Sequence, residues 1–395
     1  MEICSSTSLI NLSQRITTDL RGGKVVFFHI PPVGRAEQWE EELLAACSQK
    51  GGAPLLLTLS ADNPAPESSL LQSVDQDAKS IEESLLRGPF CDSHIVVSVT
   101  FDKEMSVSWQ RFLGKLERLY ERGSDEGSLR GLLFFFHGGY TATSKPSPAT
   151  KHFYLWNALR WEDMRCLGLS WLDGETSNPL MRAWQVSSYA GAANGDPFLL
   201  REICSQVPRS LSEINVSVRA KIASSPSALS PERMITPRAE SRWDVPDSSL
   251  NEWREGKLLG ITLERGPQVP WEQIPSSDLE AFGERLIWQE QVTSLLPTIL
   301  ELTWQTGKWI SRHLSPDWER HIVEENDSLT AVEPSKILQV FARNNKLGRL
   351  PDSIYRLLNL LREARNSLAH LSPIDASIID KIWSAYCIAQ DRFDK

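Results

Sequence analysis

The chain has 395 residues, of which 41% are hydrophobic and 24% charged, a composition typical of a soluble globular protein. This length is too great for one compact core and predicts two or three domains. The net charge of −9 argues against a protein whose whole surface binds nucleic acid, although it leaves room for a local basic surface.

The first half of the chain alternates apolar runs with helical periods. Strands are predicted over residues 24–30, 54–59, 94–101, 132–136 and 167–172. Helices are predicted over 36–47, 67–87, 105–122 and 179–223, and residues 139–151 read as a polar loop. Apolar strands joined by helical crossovers predict a largely parallel sheet with helices on both faces.

The middle of the chain is rich in serine and proline. Residues 224–249 show no sustained period and predict a linker or an extended arm. Residues 250–274 fit either a short hairpin or a strand that returns to the first domain. We therefore divide the chain into an α/β domain over 1–223, a linker or arm over 224–274 and a helical domain over 275–395.

The last third of the chain carries helical periods. Ser277 and Asp278 predict the cap of a first helix, which Pro297 kinks or divides into two segments. A helix over 334–344 follows, and Asp352 and Ser353 predict the cap of the next one. That helix is broken by Ser372-Pro373, and a last helix spans about 375–391. Four or five helices with short loops predict a bundle.

The cysteines and the N-terminus indicate the cellular compartment. No cysteine belongs to a C-x-x-C pair, which predicts reduced thiols and no metal site. The N-terminus lacks the basic start and apolar run of a signal peptide. No apolar run reaches the ~20 residues of a membrane span, so we expect a cytoplasmic protein without a membrane segment.

The turn after the first predicted strand resembles a degenerate P-loop. In the register that starts at His29, Gly34 is the one glycine kept, Arg35 stands in the place of the lysine and Ala36 replaces the hydroxyl that would hold Mg²⁺. The helix N-terminus could still attract an anion, but phosphoryl transfer is not expected. Gly34 and Arg35 are therefore candidate nucleotide contacts, and we expect no obligatory cofactor.

A second segment supports that resemblance. The string GDPFLLREI, from Gly195 to Ile203, is similar to the helical region that follows the nucleotide core of STAND and AAA-type ATPases. The resemblance covers about residues 20–210 and implies a P-loop NTPase-like α/β domain with a helical lid region. An α/β domain that no longer uses nucleotide is the alternative.

The most informative motif is RNSLAH, from Arg365 to His370, at the end of an amphipathic helical stretch. Asn366 and His370 are four residues apart and share a helix face. Arg365 lies about 140° from His370 on an ideal helix, so the two converge only if His370 is at a helix end. Ser372-Pro373 favours such an end.

This string resembles the R-x(4–6)-H signature of the HEPN superfamily, whose members are helical bundles and include metal-independent ribonucleases. The resemblance implies that His370 acts as general base or acid, that Arg365 binds the scissile phosphate and that Asn366 positions the phosphate or the histidine. It also implies a homodimer that brings two motifs together and a product ending in a 2′,3′-cyclic phosphate.

The resemblance further implies a component of a prokaryotic anti-phage defence or toxin-type system, with protein partners and RNA as the substrate. The alternative is a non-catalytic assembly or regulatory subunit, in which the helical domain dimerises or binds a partner.

A basic stretch leads into the motif. Residues 340–365 contain six basic and two acidic side chains, a net charge of +4. Such a stretch suits phosphate binding, although an ordinary solvated helix face has the same pattern. The candidate RNA-binding residues are Arg343, Lys346, Arg349, Arg356 and Arg362. His29 and His137 could meet at the carboxyl edge of the sheet, where α/β sites form, but we expect them to serve packing.

Overall fold

The computed structural model describes residues 3, 6–31, 36–48, 55–86, 94–100, 105–123, 129–138, 149–155, 159–172, 174, 176–223, 260–262, 266–314, 318–320 and 333–393. Contacts divide the chain into two compact units, Met1–Asp163 with Ser225–Ile274 and Met164–Ser224 with Pro275–Lys395. Residues 179–223, which the sequence analysis placed in the first domain, thus group with the C-terminal helices.

The first unit is built on a five-stranded sheet in which every strand pair is parallel, as the sequence predicted. The strands are β1 (Val25–Ile30), β2 (Leu55–Ser60), β3 (Ile95–Thr100), β4 (Leu132–His137) and β5 (Thr150–Tyr154). Their order across the sheet is β2-β3-β4-β1-β5. The central strands β1 and β4 are buried along their whole length, which explains their continuous apolar sequences.

Helices cover both faces of this sheet. They are α1 (Thr7–Arg21), α2 (Ala36–Ser48), α3 (Pro66–Val74), α4 (Ile81–Leu86) and α5 (Val107–Gly123). On one face, the fully buried Phe27 and Phe134 pack in one cluster with Leu70 of α3 and Trp109 of α5. On the other face, polar side chains of β3 and β4 contact α2. The predicted placement of helices is therefore confirmed.

Three predicted elements of the first half are wrong. Residues 167–172 are not a strand, because they lie in α6 (Trp161–Trp171) or just after it. The fifth strand is Thr150–Tyr154, and its first two residues fall in the stretch read as a loop. An edge strand has one neighbour and carries polar side chains, so it lacks an apolar run. Residues 67–87 form two helices, α3 and α4.

Helix α1 has no counterpart among the predicted elements. Its buried side chains Leu9, Leu12, Ile16 and Leu20 recur at helical spacing, and the Ser6 hydroxyl accepts a hydrogen bond from the Leu9 N–H. A serine cap followed by this period is a helix-start signal that was present in the sequence.

The second unit is helical among the described residues. It contains part of α6 and α7 (Pro179–Ala193), α8 (Pro197–Gln206), α9 (Leu211–Ala223), α10 (Leu279–His313), α11 (Pro334–Arg343), α12 (Asp352–Ala369) and α13 (Ala376–Phe393). Helix α10 packs on α7 and α12, and α12 packs on α11 and α13. No described helix is both long and apolar enough to cross a membrane.

Several predicted boundaries of this unit need correction. Helix α10 runs for 35 residues through Pro297, so the proline does not divide it. Asp278 is at its N-cap position without a capping side-chain hydrogen bond. Asp352 and Ser353 do not cap α12, because Pro351 holds the N-cap position and both residues lie inside the helix.

Part of the middle segment forms a hairpin. The strands β6 (Gly260–Thr262) and β7 (Gly266–Gln268) pair antiparallel, which confirms the hairpin interpretation of residues 250–274. The predicted linker over 224–249 lies outside the described residues.

Helices α7 and α10 of the second unit approach closely at Gly191. A Cβ atom there would lie 2.7 Å from Ile287 Cα and 2.8 Å from Leu286 O, both backbone atoms of α10. Glycine is therefore the residue that allows α7 and α10 to approach this closely.

We expect Gly191→Ala to lower the free energy of unfolding by about 1–3 kcal/mol, because two helix backbones must separate to admit the methyl group. This loss exceeds the gain of up to about 1 kcal/mol in helix propensity. The matched control is Gly114→Ala in α5, where a Cβ meets nothing within 4 Å and the propensity gain stands alone. Urea unfolding checks both, and an undiminished stability of Gly191→Ala would contradict the contact.

Candidate functional site

Arg365, Asn366 and His370 of the motif lie outside the buried face of α12. The inner face of this helix buries Ile354, Leu357, Leu358, Leu361, Ala364 and Leu368. This apolar period fixes the rotation of the helix, so the residues at positions 362, 366 and 370 form one exposed stripe.

An open cleft of about 570 Å³ follows this stripe to the end of the helix. Its walls carry polar and charged side chains, namely Asn359, Arg362, Glu363, Asn366, Ser367, His370 and Ser372. The structure thus brings Asn366 and His370 of the motif together with Arg362, one of the candidate RNA-binding residues.

His370 is at the C-cap of α12, where the sequence predicted the helix end. Its N–H donates to Asn366 O at 2.9 Å and to Ser367 O at 3.1 Å. The Ser372 N–H donates back to Ser367 O at 2.9 Å, and Leu371 adopts a left-handed φ of 62°. The bond from Ser372 to Ser367 and the left-handed residue before Ser372 are those of a Schellman turn, with leucine at the position that usually holds glycine. The turn places the His370 side chain at the rim of the cleft.

Arg365 does not line the cleft with the other motif residues. Its Nη2 contacts Glu333 Oε1 at the start of α11, and its Nη1 donates to Asn366 Oδ1 at 3.4 Å. The other carboxylate oxygen of Glu333 accepts from Ser335 Oγ at 3.2 Å. The end of the helix therefore does not make Arg365 and His370 converge, because the guanidinium is turned toward α11.

A buried hydrogen-bond clamp fixes the chain just after the cleft. Gln291, which is fully buried in α10, donates from Nε2 to Ile374 O at 3.0 Å and accepts the Ile374 N–H at 2.6 Å. Trp184 Nε1 donates to the same carbonyl at 2.6 Å. Trp288 Nε1 donates to Leu368 O at 2.6 Å and satisfies one carbonyl of the last turn of α12.

The sequence analysis missed these supporting residues. One signal for Gln291 was available, because it lies four residues from both Ile287 and Leu295 within the buried stripe of α10. A glutamine in such a stripe needs partners for its amide. Glu333 carried no comparable signal.

The remaining candidate RNA-binding residues are exposed but lie outside the cleft. Arg343 ends α11, Lys346 belongs to the 3₁₀ turn Asn345–Leu347, and Arg356 is in the first half of α12. Arg349 Nη2 lies 3.8 Å from Asp352 Oδ1, with both side chains more than 90% exposed. The candidate nucleotide contacts Gly34 and Arg35 lie outside the described residues.

The two histidines of the sheet edge do not meet. His29 pairs in register with Phe136, and Ile30 with His137, so His29 and His137 project from opposite faces. His29 Nε2 lies 3.1 Å from His152 Nδ1 of β5, and its ring stacks on Tyr154. Burial lowers the pKa of His152 to about 4.

On the opposite face, His137 forms a polar cluster with α2. Its Nε2 lies 2.5 Å from Glu40 Oε2 and 3.2 Å from Ser98 Oγ, and Ser98 Oγ donates to the same Glu40 oxygen at 2.8 Å. A serine hydrolase triad needs the serine and the carboxylate on different imidazole nitrogens. This cluster therefore ties α2 to the sheet. Among the described residues, no group of three or more His, Cys, Asp or Glu side chains is placed to hold a metal ion.

We expect Gln291→Leu to lower the free energy of unfolding by about 1–3 kcal/mol, because the buried Ile374 N–H loses its acceptor. The matched control is Gln289→Leu on the same helix, since Gln289 Oε1 accepts no hydrogen bond within the described part of the chain. That change should stay within about 0.5 kcal/mol of the parent. Equal losses in chemical denaturation of the two variants would contradict the clamp.

We expect the first unit to lose stability as the pH falls below about 6.5, the ordinary histidine pKa. The unfolded chain then binds a proton that the partly buried His152, with its pKa lowered to about 4, does not. The contribution between pH 7 and pH 5 is about 2 kcal/mol by proton linkage. Urea unfolding of the parent and of His152→Gln at both pH values measures it, and an equal pH dependence in the two proteins would refute the assignment.

In comparisons with known proteins, no family matched the chain and no curated protein was significantly similar to it.

Proposed function

We propose that this chain is a regulated, metal-independent endoribonuclease whose site is the cleft at the end of α12. The observation that carries the proposal is the shared position of Arg362, Asn366 and His370 on one exposed stripe of that cleft. A guanidinium, an amide and an imidazole side by side are the groups that bind a phosphodiester and move a proton beside it.

The reaction that suits these groups is attack by a ribose 2′-hydroxyl on the adjacent phosphorus. His370 removes the 2′-hydroxyl proton as the new P–O bond forms, because an imidazole nitrogen that carries no proton can accept one. The bond to the 5′-oxygen breaks, and that oxygen takes up a proton as it leaves. The products are a 2′,3′-cyclic phosphate and a 5′-hydroxyl end.

Charge stabilisation falls to the arginines. Arg362 faces the cleft and binds a phosphate of the incoming strand. Arg365, the arginine of the HEPN-like motif, lies beside Asn366 and stabilises the charge that builds on the phosphate when its guanidinium turns to the cleft. Arg343, Lys346, Arg349 and Arg356 attract the strand at longer range from the surface around it.

The proposed active form is a homodimer. The reaction needs a base for the 2′-hydroxyl and an acid for the 5′-oxygen, and His370 is the one imidazole among the residues that line the described cleft. An exposed site at a helix end can face the same site of a second copy, which supplies the second imidazole.

The setting that we propose is a cytoplasmic anti-phage defence or toxin-type system of a prokaryote. Protein partners and the α/β unit would control when the cleft acts on RNA. The resemblance of RNSLAH to the HEPN signature supports this setting.

A second candidate is a non-catalytic assembly or regulatory subunit. The contact between Arg365 and Glu333 favours it, because an arginine engaged in an ion pair between α11 and α12 can hold the two helices together without a catalytic role. In that case Arg365→Ala and His370→Ala would leave the activity of the assembled system intact.

The proposal predicts RNA cleavage in the presence of EDTA. We expect purified protein to cut mixed RNA into fragments with 2′,3′-cyclic phosphate ends, and His370→Ala to slow this at least about 100-fold through loss of the proton acceptor. The matched control is His313→Ala, which removes a histidine at the end of α10 and should leave the rate unchanged.

Fragment-end analysis by mass spectrometry distinguishes this chemistry from contamination. Equal cleavage by parent and His370→Ala would place the activity elsewhere. Intact RNA with the parent, alone and together with its co-purifying partners, would favour the assembly subunit.

A further inference from the structure

The position of Arg365 calls for an explanation within the proposed site. Three side chains of the cleft, Arg362, Asn366 and His370, suit phosphate binding. Arg365 of the motif contacts a carboxylate instead. That carboxylate belongs to Glu333, which is 32 residues earlier in the chain and at the N-cap position of α11.

The surroundings of Glu333 show how its carboxylate is held. One oxygen contacts Arg365 Nη2, and the other accepts a hydrogen bond from Ser335 Oγ. The side chain makes no capping bond to its own helix, while its backbone carbonyl accepts the Lys336 N–H at 3.0 Å. The carboxylate therefore faces α12 and is stabilised there by the guanidinium, the hydroxyl and the positive end of the α11 dipole.

A continuous chain of contacts links Glu333 to the cleft. Arg365 uses Nη2 for Glu333 and Nη1 for the Oδ1 atom of Asn366, and Asn366 lines the cleft beside His370. A change in the partner of Arg365 therefore changes the contacts of Asn366, which lines the cleft.

We infer that Glu333 is a positioning residue that binds Arg365 in the absence of RNA and keeps its guanidinium away from the cleft. The inference rests on the proposed function of the cleft. Carboxylate and phosphate both offer anionic oxygens to a guanidinium, so a phosphate in the cleft competes with Glu333 for Arg365. Glu333 holds the free protein in a form with Arg365 turned away, and the entering phosphodiester takes the guanidinium from it.

The strength of this contact fits a reversible hold. About one third of each side chain is exposed, at 33% for Arg365 and 35% for Glu333. Ion pairs at that exposure contribute little, so the hold changes RNA affinity by no more than about fivefold. A buried pair would have trapped the arginine, whereas this one gives way to a phosphate in the cleft.

The test is a double-mutant cycle on RNA binding. The probe is a fluorescent single-stranded RNA with a 2′-O-methyl group on each sugar, which removes the nucleophile and blocks cleavage. We expect Glu333→Gln to lower the Kd up to about fivefold in the parent background and to have no effect in an Arg365→Ala background. The same variant should lower the KM for cleavable RNA. Its urea unfolding midpoint should stay close to that of the parent.

The matched charge control is Glu363→Gln. Glu363 lines the cleft, so removing its charge strengthens RNA binding through the general field, with or without Arg365. Coupling to Arg365 that is seen for Glu333 and not for Glu363 supports the inference.

An equal gain for Glu333→Gln in both backgrounds would overturn it and leave the ribonuclease proposal standing. If the parent and Glu333→Gln neither bind nor cleave RNA, the proposed function fails and this inference fails with it. If Glu333→Gln cuts RNA faster than the parent at RNA concentrations below KM, both are supported. Phenylglyoxal modification followed by peptide mapping adds a readout without RNA, because Arg365 should react faster in Glu333→Gln while Arg362 does not change.

Discussion

The described helical unit depends on the clamp between Gln291 and the backbone of Ile374. Both polar groups of one residue in the α12–α13 connection are taken up by one fully buried side chain of α10, and Trp184 adds a third bond from α7. Buried amides of this kind are costly unless every partner is present. The clamp therefore fixes where α12 ends, and with it where His370 stands relative to Asn366 and Arg362.

The sequence was sufficient to predict the strands that are buried along their whole length. The runs KVVFFHI and LLFFF lie at the centre of a parallel sheet. Such strands can be predicted from composition, because both of their faces are buried and nearly every residue is apolar. It failed for Thr150–Tyr154, since an edge strand is half polar. It also failed for LGLSWL, which lies at the end of a helix that buries Leu167 and exposes Leu169. Both failures arise because neighbours in space, rather than in sequence, decide the outcome.

The candidate site shows the same division. Local periodicity was enough to predict that Asn366 and His370 share a face and that the helix ends near His370, because helix geometry determines both. The partner of Arg365 was beyond such reasoning, since Glu333 is on another helix and its choice depends on how α11 packs against α12. Arg362 was singled out for its charge, and the structure added its position beside His370.

The turn at Leu371 has a consequence for whatever approaches the cleft. A left-handed backbone costs a leucine roughly 1 kcal/mol relative to glycine, and the side chain that comes with this cost is 66% exposed. The hydrogen bonds of the turn hold the backbone here, and the exposed apolar side chain of Leu371 is one residue from the His370 imidazole. A molecule that approaches the cleft from this end of α12 therefore contacts an apolar surface, and a polar molecule loses part of its hydration there.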